Sequence, residues 1–190
     1  MTSYAPSHSD KFAFGVWCVM NVGRDPFGDA TRRPMDALKA VRGLAERGAW
    51  GFEFHDNDIF PLGASAATHR RIMTELKKIM KDTGIRCASA TTNLFYHPVF
   101  KDGAFTSHDP KIRAYAVQKV MNAIDLGAEV GAQNFIFWGG REGAEVDAAK
   151  DPVEANKRFR EAINFLCAYV RQNRYLSLIH ISEPTRLLSI

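Results

Sequence analysis

Four short apolar runs alternate along the chain with four longer stretches whose apolar residues recur at helical spacing. The apolar runs cover residues 12–19, 51–54, 85–91 and 134–138. The helical stretches cover residues 35–47, 65–83, 110–130 and 152–171. This alternation, in units of roughly 40 residues, predicts parallel strands joined by right-handed crossover helices. The predicted fold class is therefore α/β.

Two architectures satisfy this pattern, an open doubly wound sheet and a (β/α) barrel. The turn after the first strand contains neither GxGxxG nor a Walker-type GKS or GKT, which counts against an open nucleotide-binding sheet. A complete barrel takes about 250 residues, whereas this chain has 190. Four βα units correspond to half of a barrel.

The composition is that of a soluble globular protein, with 46% hydrophobic and 24% charged residues. The net charge of +4 is modest and the basic residues are dispersed, which argues against a nucleic-acid partner. No apolar run approaches the ~20 residues of a membrane helix. Residues 1–11 lack the apolar segment of a secretory signal. We expect a cytoplasmic protein without a membrane partner.

The three cysteines, Cys18, Cys87 and Cys167, are far apart and show no CxxC spacing. This spacing suggests neither a zinc site nor a disulfide framework. Because each cysteine has apolar neighbours, we interpret all three as small core residues in a reducing compartment.

The sequence His55-Asp56-Asn57-Asp58 follows the second apolar run directly. Catalytic side chains of α/β enzymes lie at the carboxyl ends of parallel strands. A carboxylate close to a histidine can orient the imidazole and raise its basicity. The alternative is a polar loop in which Asp56 or Asp58 caps the next helix. The spacing alone leaves both interpretations open.

Five stretches, in order, resemble the actinobacterial class I branch of the xylose isomerases, also called glucose isomerases. They are FAFGVW (12–17), GRDPFGDATR (23–32), HDND (55–58), ATTNLFYHPVFKDGAF (90–105) and WGGREGAE (138–145). The resemblance covers residues 11–173 and implies a (β/α)₈ TIM barrel of which the first four units are present. It also implies conversion of D-xylose to D-xylulose, and of D-glucose to D-fructose, by ring opening and a metal-assisted hydride shift.

The resemblance assigns roles to individual residues. His55 matches the histidine that assists ring opening, and Asp58 matches the carboxylate that hydrogen-bonds it. Substrate-binding positions are matched by Trp17, Thr91, Phe95, Trp138 and Phe27, the last reaching into a neighbouring subunit. Apolar walls suit the C–H faces of a sugar and exclude water.

Two positions depart from the family pattern. Ser89 stands where methionine is frequent, and Phe137 stands where a small residue is common. Both substitutions bear on pocket shape and therefore on which sugar is preferred.

The resemblance further implies two divalent metal ions, Mg²⁺ or alternatively Mn²⁺ or Co²⁺, and a homotetramer. The family's metal ligands lie on later strands, beginning with a Glu-Pro-Lys-Pro segment. We therefore expect no metal ligand in this chain. The implied partners are an aldose or ketose substrate and further copies of the protein.

The resemblance ends at Asn173, and residues 174–190 read RYLSLIHISEPTRLLSI. We interpret residues 1–173 as the first half of a barrel and residues 174–190 as a non-native read-through tail. A divergent fifth strand and a native short C-terminus are the alternatives. Without the tail, the first and fourth strands are expected to be unpaired edges.

Other functions remain open at this stage. The chain could belong to another enzyme of the same barrel superfamily, such as a sugar epimerase or a metal-dependent endonuclease. It could also be a non-catalytic fragment that assembles with other chains through Phe27 and its strand edges.

We predict that the 190-residue chain is catalytically inactive and poorly soluble, because it lacks the metal ligands and exposes strand edges. A coupled assay for D-xylulose in the presence of D-xylose and Mg²⁺ checks the first point, and light scattering checks the second. Measurable isomerisation by the purified chain would contradict the prediction.

Overall fold

The computed structural model describes residues 5, 7, 9–23, 28–138, 142, 147–175 and 178–181. The strands are β1 (Ala13–Gly15), β2 (Gly51–His55), β3 (Arg86–Thr91), β4 (Asn134–Phe137) and β5 (Leu178–Ile181). The α-helices are α1 (Val16–Val19), α2 (Ala37–Glu46), α3 (Asp56–Ile59), α4 (Ala66–Thr83), α5 (Pro110–Val130) and α6 (Pro152–Gln172). Short 3₁₀ turns occupy Pro98–Phe100 and Asp147–Ala149.

The chain forms two compact units. The first comprises residues 1–54 and 58–88, and the second comprises residues 55–57 and 89–190. β3 begins in the first unit and ends in the second. The hydrogen-bonded order of the strands is β1-β2-β3-β4-β5, which is the order of the sequence.

In the first unit, β1 and β2 pair in parallel, with Ala13 opposite Gly51. α2 and α4 pack against each other, and their apolar stripes supply much of the core. The most deeply buried apolar side chains include those of Val41, Phe52, Phe54, Leu76 and Ile79. Full burial of such a side chain stabilises the folded state by about 1.5–3 kcal/mol.

In the second unit, β3 pairs in parallel with β4, and β4 pairs in parallel with β5. The pairing places Ser89 opposite Asn134. α5 and α6 pack together. The core of this unit is formed by Ala90, Val120, Ile124, Phe135, Phe137, Ile163 and Leu166.

Side chains next to the helices fix where the four long helices begin. Asp36, Ser65, Asp109 and Asp151 each accept a hydrogen bond from a backbone N–H of the helix that follows. These bonds satisfy donors that have no partner within the helix. A proline often occupies the first position of a helix, and Pro34 precedes the predicted helical stretch, but α2 begins only at Ala37, so Pro34 lies outside the helix.

The first strand is shorter than the sequence predicts. β1 ends at Gly15, and Val16–Val19 form a single helical turn. The Trp17 ring folds back onto Gly15, where a Cβ atom would lie 2.4 Å from the indole. This approach depends on a glycine, and the apolar character of residues 12–19 does not reveal it.

Two further expectations need correction. β4 is not an unpaired edge, because it pairs with β5 within the segment interpreted as a tail. The non-native origin of residues 174–190 stays a prediction. Among the cysteines, Cys87 is buried as expected and Cys167 is half-buried, but Cys18 is exposed, because its part of the apolar run forms helix α1.

Within the described ranges, none of the helices combines the length and the apolar character needed to cross a membrane.

A carboxylate and two tyrosines link α5 to the end of α6. The hydroxyls of Tyr169 and Tyr175 both donate to Asp125, each at 2.8 Å. Burial, reinforced by the hydrogen bond to Asp125 and by its negative charge, raises the pKa of Tyr169 from 10.0 to about 12. The folded chain therefore holds this phenolic proton more tightly than the unfolded chain does.

Because the pKa of Tyr169 is raised in the folded state, the contribution of its hydroxyl to stability is complete below pH 10 and is lost as the pH rises through 12. We predict that the free energy of unfolding falls over this range, and falls less steeply in Tyr169→Phe. Urea titrations followed by circular dichroism at several pH values measure both slopes. Equal slopes in the two proteins would exclude Tyr169 as the source.

Candidate active site

His55 is the last residue of β2, at the carboxyl end of the strand. Phe52 and Phe54 are buried within the strand, and the His55 side chain, adjacent to Phe54, points to the opposite face. The imidazole is only 7% exposed. A buried imidazole at this edge of a parallel sheet occupies the position where catalytic groups of α/β enzymes lie.

A row of aromatic rings begins at this imidazole. The Phe95 ring meets His55 edge to face, with 5.6 Å between the ring centroids. Trp138 meets Phe95 in the same manner at 4.6 Å, and Tyr96 lies 4.8 Å from Phe95. Trp138, which directly follows β4, is 41% exposed. The row therefore runs from a buried polar ring to an accessible indole.

Asn93 shapes the loop that carries Phe95. Its side-chain oxygen accepts hydrogen bonds from the backbone N–H groups of Phe95 and Tyr96, at 3.3 and 3.1 Å. An asparagine that bonds the backbone two or three residues ahead is a common turn-forming device. No role is assigned to Asn93 from the sequence, although an asparagine two positions after a predicted strand is the signal that could have identified it.

The carboxylate of Asp56 joins three elements. One oxygen accepts a hydrogen bond from the backbone N–H of Asn93 at 3.0 Å, and the other pairs with the ammonium group of Lys119 on α5. The side chains of Lys119 and Asp56 are 8% and 12% exposed. Both partners are distant in sequence, so the role of Asp56 extends beyond capping the next helix.

Thr91 and Thr92 follow one another at the end of β3 and use their hydroxyls differently. The Thr91 hydroxyl donates to the carbonyl of Ile136 at 2.7 Å and so links β3 to β4. The Thr92 hydroxyl is buried and has no hydrogen-bond partner among the described residues. It borders a cavity of about 10 Å³ that Phe135 and Phe137 also line.

The remaining predicted site residues are Trp17, Asp58 and Phe27. Trp17 and Asp58 belong to the first unit, where Trp17 lies in α1 against Gly15 and Asp58 lies in α3. Phe27 falls outside the described residues. The structure thus brings His55, Phe95 and Trp138 together, with Thr91 at the end of the neighbouring strand.

Glu142 is a second residue whose role is not evident from the sequence. Its carboxylate accepts hydrogen bonds from the backbone N–H groups of Ala104, Phe105 and Thr106. Burial raises the pKa of this carboxyl group, while the hydrogen bonds act in the opposite direction. Lys150 completes the cluster by donating to the carbonyl of Asp102. These bonds fix the loop before α5 to the segment that follows β4.

The two departures from the family pattern pack inside the second unit. Ser89 and Phe137 are both buried, and the Phe137 ring lies 5.3 Å from that of Phe135. Each therefore affects the packing around the sheet.

The described residues do not form a cage for divalent cations. No group of three histidine, cysteine, aspartate or glutamate side chains within the described ranges is placed to hold a metal ion. Two hard cations require several convergent oxygen ligands, and the described donors do not fit such a pair.

Residues 41–181 match the sequence profile of a family described as the xylose isomerase-like TIM barrel. The chain is also similar to solved structures of low sequence identity. One is the 3-keto-D-glucoside 4-epimerase of E. coli, at 17% identity and a TM-score of 0.57, covering 90% of this chain and 56% of the other.

A xylose isomerase candidate from Rhodospirillum rubrum matches at 14% identity and a TM-score of 0.65, over 90% of this chain and 53% of the other. The D-allulose 3-epimerase of a Methylomonas species matches at 18% identity and a TM-score of 0.60, over 90% and 50%. The chain therefore spans about half the length of the structures it matches. The prediction of a partial (β/α) barrel is confirmed.

The unpartnered hydroxyl of Thr92 yields a prediction about stability. Replacing a buried hydroxyl that has no partner by a methyl group of similar shape removes a desolvation cost of about 1–3 kcal/mol. We expect Thr92→Val to raise the free energy of unfolding by about 1 kcal/mol. Urea unfolding measures the change.

Thr92→Ser provides the matched control, because it keeps the hydroxyl and removes the methyl group. This variant is expected to lose about 1 kcal/mol through the enlarged cavity. A destabilised Thr92→Val would instead show that an ordered water molecule satisfies the hydroxyl, since a cavity of about 10 Å³ is near the size that one water needs.

Proposed function

Because the chain belongs to the xylose isomerase-like TIM barrel family, we propose that it forms the ring-opening part of an aldose–ketose isomerase. The proposed reaction converts D-xylose to D-xylulose, and D-glucose to D-fructose by the same chemistry. The observation that carries the proposal is the buried imidazole of His55 at the head of an aromatic row.

The aromatic row suits a sugar. One face of a pyranose presents C–H bonds, which pack favourably against aromatic rings. The Trp138 indole is accessible, whereas the His55 imidazole is buried. A sugar resting on Trp138 and Phe95 would direct its polar groups toward His55, and the aromatic rings would exclude water from the open-chain form of the sugar.

The proposed role of His55 is acid–base catalysis of ring opening. The imidazole accepts the proton of the anomeric hydroxyl and delivers a proton to the ring oxygen. The bond between C1 and the ring oxygen breaks, its electron pair remains on the oxygen, and an open-chain aldehyde forms. Asp58 is assigned the orienting role on the basis of the family resemblance, because a carboxylate fixes the tautomer of a histidine.

Isomerisation then requires a hydride to move from C2 to C1 with its electron pair, while the proton of the C2 hydroxyl passes to the oxygen on C1. The resemblance attributes the support of this step to two divalent metals, Mg²⁺, Mn²⁺ or Co²⁺. Since the described residues do not fit such ions, the roles proposed for this chain are limited to ring opening and enclosure of the substrate.

Thr91 and Trp17 are proposed to line the pocket, and Phe27 to enter the pocket of a neighbouring subunit in a cytoplasmic homotetramer. These assignments follow the motifs that contain the three residues.

A second candidate is a ketose epimerase. It is favoured by similarity to two solved sugar epimerases, one acting on 3-keto-D-glucosides and one on D-allulose. Such an enzyme inverts the carbon next to a carbonyl and leaves the carbonyl carbon in place. The two candidates therefore differ in whether the product gains a carbonyl at C2.

A decisive test uses residues 1–173 continued into the second half of the barrel from the same genomic locus. With Mg²⁺ present, we expect this protein to convert D-xylose to D-xylulose. His55→Asn should lower kcat/KM by about 10²–10⁴-fold, the usual contribution of a general acid–base group. Product analysis by NMR separates isomerisation from epimerisation.

His108→Asn is the matched control, because His108 is an exposed histidine that pairs with Asp102 away from the aromatic row. Its activity should remain close to that of the parent protein. Conversion of D-fructose to its C3 epimer without any reaction of D-xylose would favour the epimerase instead. Full activity of His55→Asn would remove the basis of the proposed mechanism.

A further inference from the structure

The ion pair between Asp56 and Lys119 lies in the interior of the second unit. Asp56 is the residue that follows His55 in the sequence. Lys119 extends from α5, whose neighbouring core positions carry the apolar Ala116, Val120 and Ala123. An apolar residue at position 119 would continue this stripe. The helix therefore does not need a lysine there for its own packing.

Stability alone does not explain why this ion pair is buried. Removing two charges from water is costly, and a buried ion pair is often no more stabilising than well-packed apolar residues of similar volume. What an ion pair provides is a defined geometry, because a carboxylate with two fixed donors has little freedom to rotate. The donors here are the Lys119 ammonium and the backbone N–H of Asn93.

The contacts around Asp56 form a closed circuit. His55 and Asp56 are joined by a peptide bond, and Asp56 accepts a hydrogen bond from Asn93. The Asn93 side chain accepts a hydrogen bond from the backbone of Phe95, and the Phe95 ring returns to His55 edge to face. Lys119 is the one member of the network on α5, and it anchors the circuit to that helix.

We propose that Asp56 and Lys119 are positioning residues, which together hold the imidazole of His55 against the edge of Phe95. The pair fixes the turn after β2 relative to the loop after β3, and these two segments carry the two rings. Any importance of Asp56 and Lys119 for catalysis rests on the proposed function. The proposed position of the His55 ring against Phe95 concerns the free protein and needs no substrate.

Loss of the Lys119 charge would leave a carboxylate buried without a charged partner. The turn at Asp56 would then move its carboxylate toward water, because an unpaired buried charge is strongly unfavourable. Such a movement breaks the hydrogen bond to Asn93 and opens the circuit. The direct consequence is separation of the His55 and Phe95 rings.

Lys119→Met tests this in the complete 190-residue chain, since methionine keeps most of the stem and removes the charge. Selective labelling of histidine and phenylalanine rings gives NMR signals at low protein concentration, and His55→Asn identifies the signal of His55. We expect loss of the nuclear Overhauser effect between the His55 and Phe95 rings in Lys119→Met. Lys119→Arg, which restores the charge, should recover it.

Lys150→Met is the matched control. Lys150 is as buried as Lys119, at 6% exposure, but it bonds the loop at Asp102 and Thr106 and takes no part in the circuit. This variant should lower the urea midpoint and leave the His55–Phe95 signal intact. If the role of Lys119 is merely structural, Lys119→Met will also lower the urea midpoint and keep the His55–Phe95 signal. That result would overturn the proposal.

The double variant Asp56→Asn with Lys119→Met guards against unfolding of the single variant, because it leaves no lone charge in the core. Asparagine can still accept the hydrogen bond from Asn93, but the anchor to α5 is gone. We expect a weakened ring–ring signal in this folded protein. An undiminished signal would overturn the positioning role, while failure of the proposed isomerase activity would leave it unaffected.

Discussion

Parallel strand pairing is the constraint on which the candidate site depends. In a sheet whose strands run in one direction, every strand ends at the same edge. His55 ends β2, Thr91 ends β3 and Trp138 follows β4, so residues far apart in sequence arrive at a common edge. The aromatic row that runs from His55 through Phe95 to Trp138 is a direct consequence of this directionality.

The loops at this edge are held by side chains that bond backbone groups. The Asn93 side chain accepts hydrogen bonds from two backbone N–H groups of its own loop. The Asp56 carboxylate accepts one from the backbone N–H of Asn93. The Glu142 carboxylate accepts three from the backbone N–H groups of residues 104–106. Hydrogen bonds of this kind satisfy buried donors that regular secondary structure leaves unpaired. Contacts within the protein itself therefore hold the loops at this edge in defined conformations.

The family and the fold are established at a coarser level than the chemistry. The match over residues 41–181 places the chain among the xylose isomerase-like TIM barrels. The described residues include the buried imidazole of His55 and the aromatic rings beside it. The carboxylates of Asp56 and Glu142 bond loop backbone, and that of Asp56 also pairs with Lys119. The proposed roles of acid–base catalysis and substrate enclosure rest on these side chains.

The sequence by itself determined the elements whose causes are local. The helices begin at Asp36, Ser65, Asp109 and Asp151 and α4 ends at Gly84, because capping and a left-handed turn depend on residues a few positions apart. Motifs contained within short stretches also singled out His55, Phe95 and Trp138 as candidate site residues, and the structure shows that their rings are neighbours.

Only the tertiary structure decided the contacts between distant residues. Asp56 bonds Asn93 across 37 positions and Lys119 across 63, and Glu142 bonds residues 104–106 across a comparable span. No local pattern distinguishes Lys119 from a surface lysine, since its burial follows from how α5 packs rather than from its neighbours in sequence. The pairing of β4 with β5 has the same origin, because it joins segments about 44 residues apart that only folding brings into contact. The early end of β1 is different, since it involves Gly15 and Trp17, two positions apart, in a contact that the apolar pattern does not reveal.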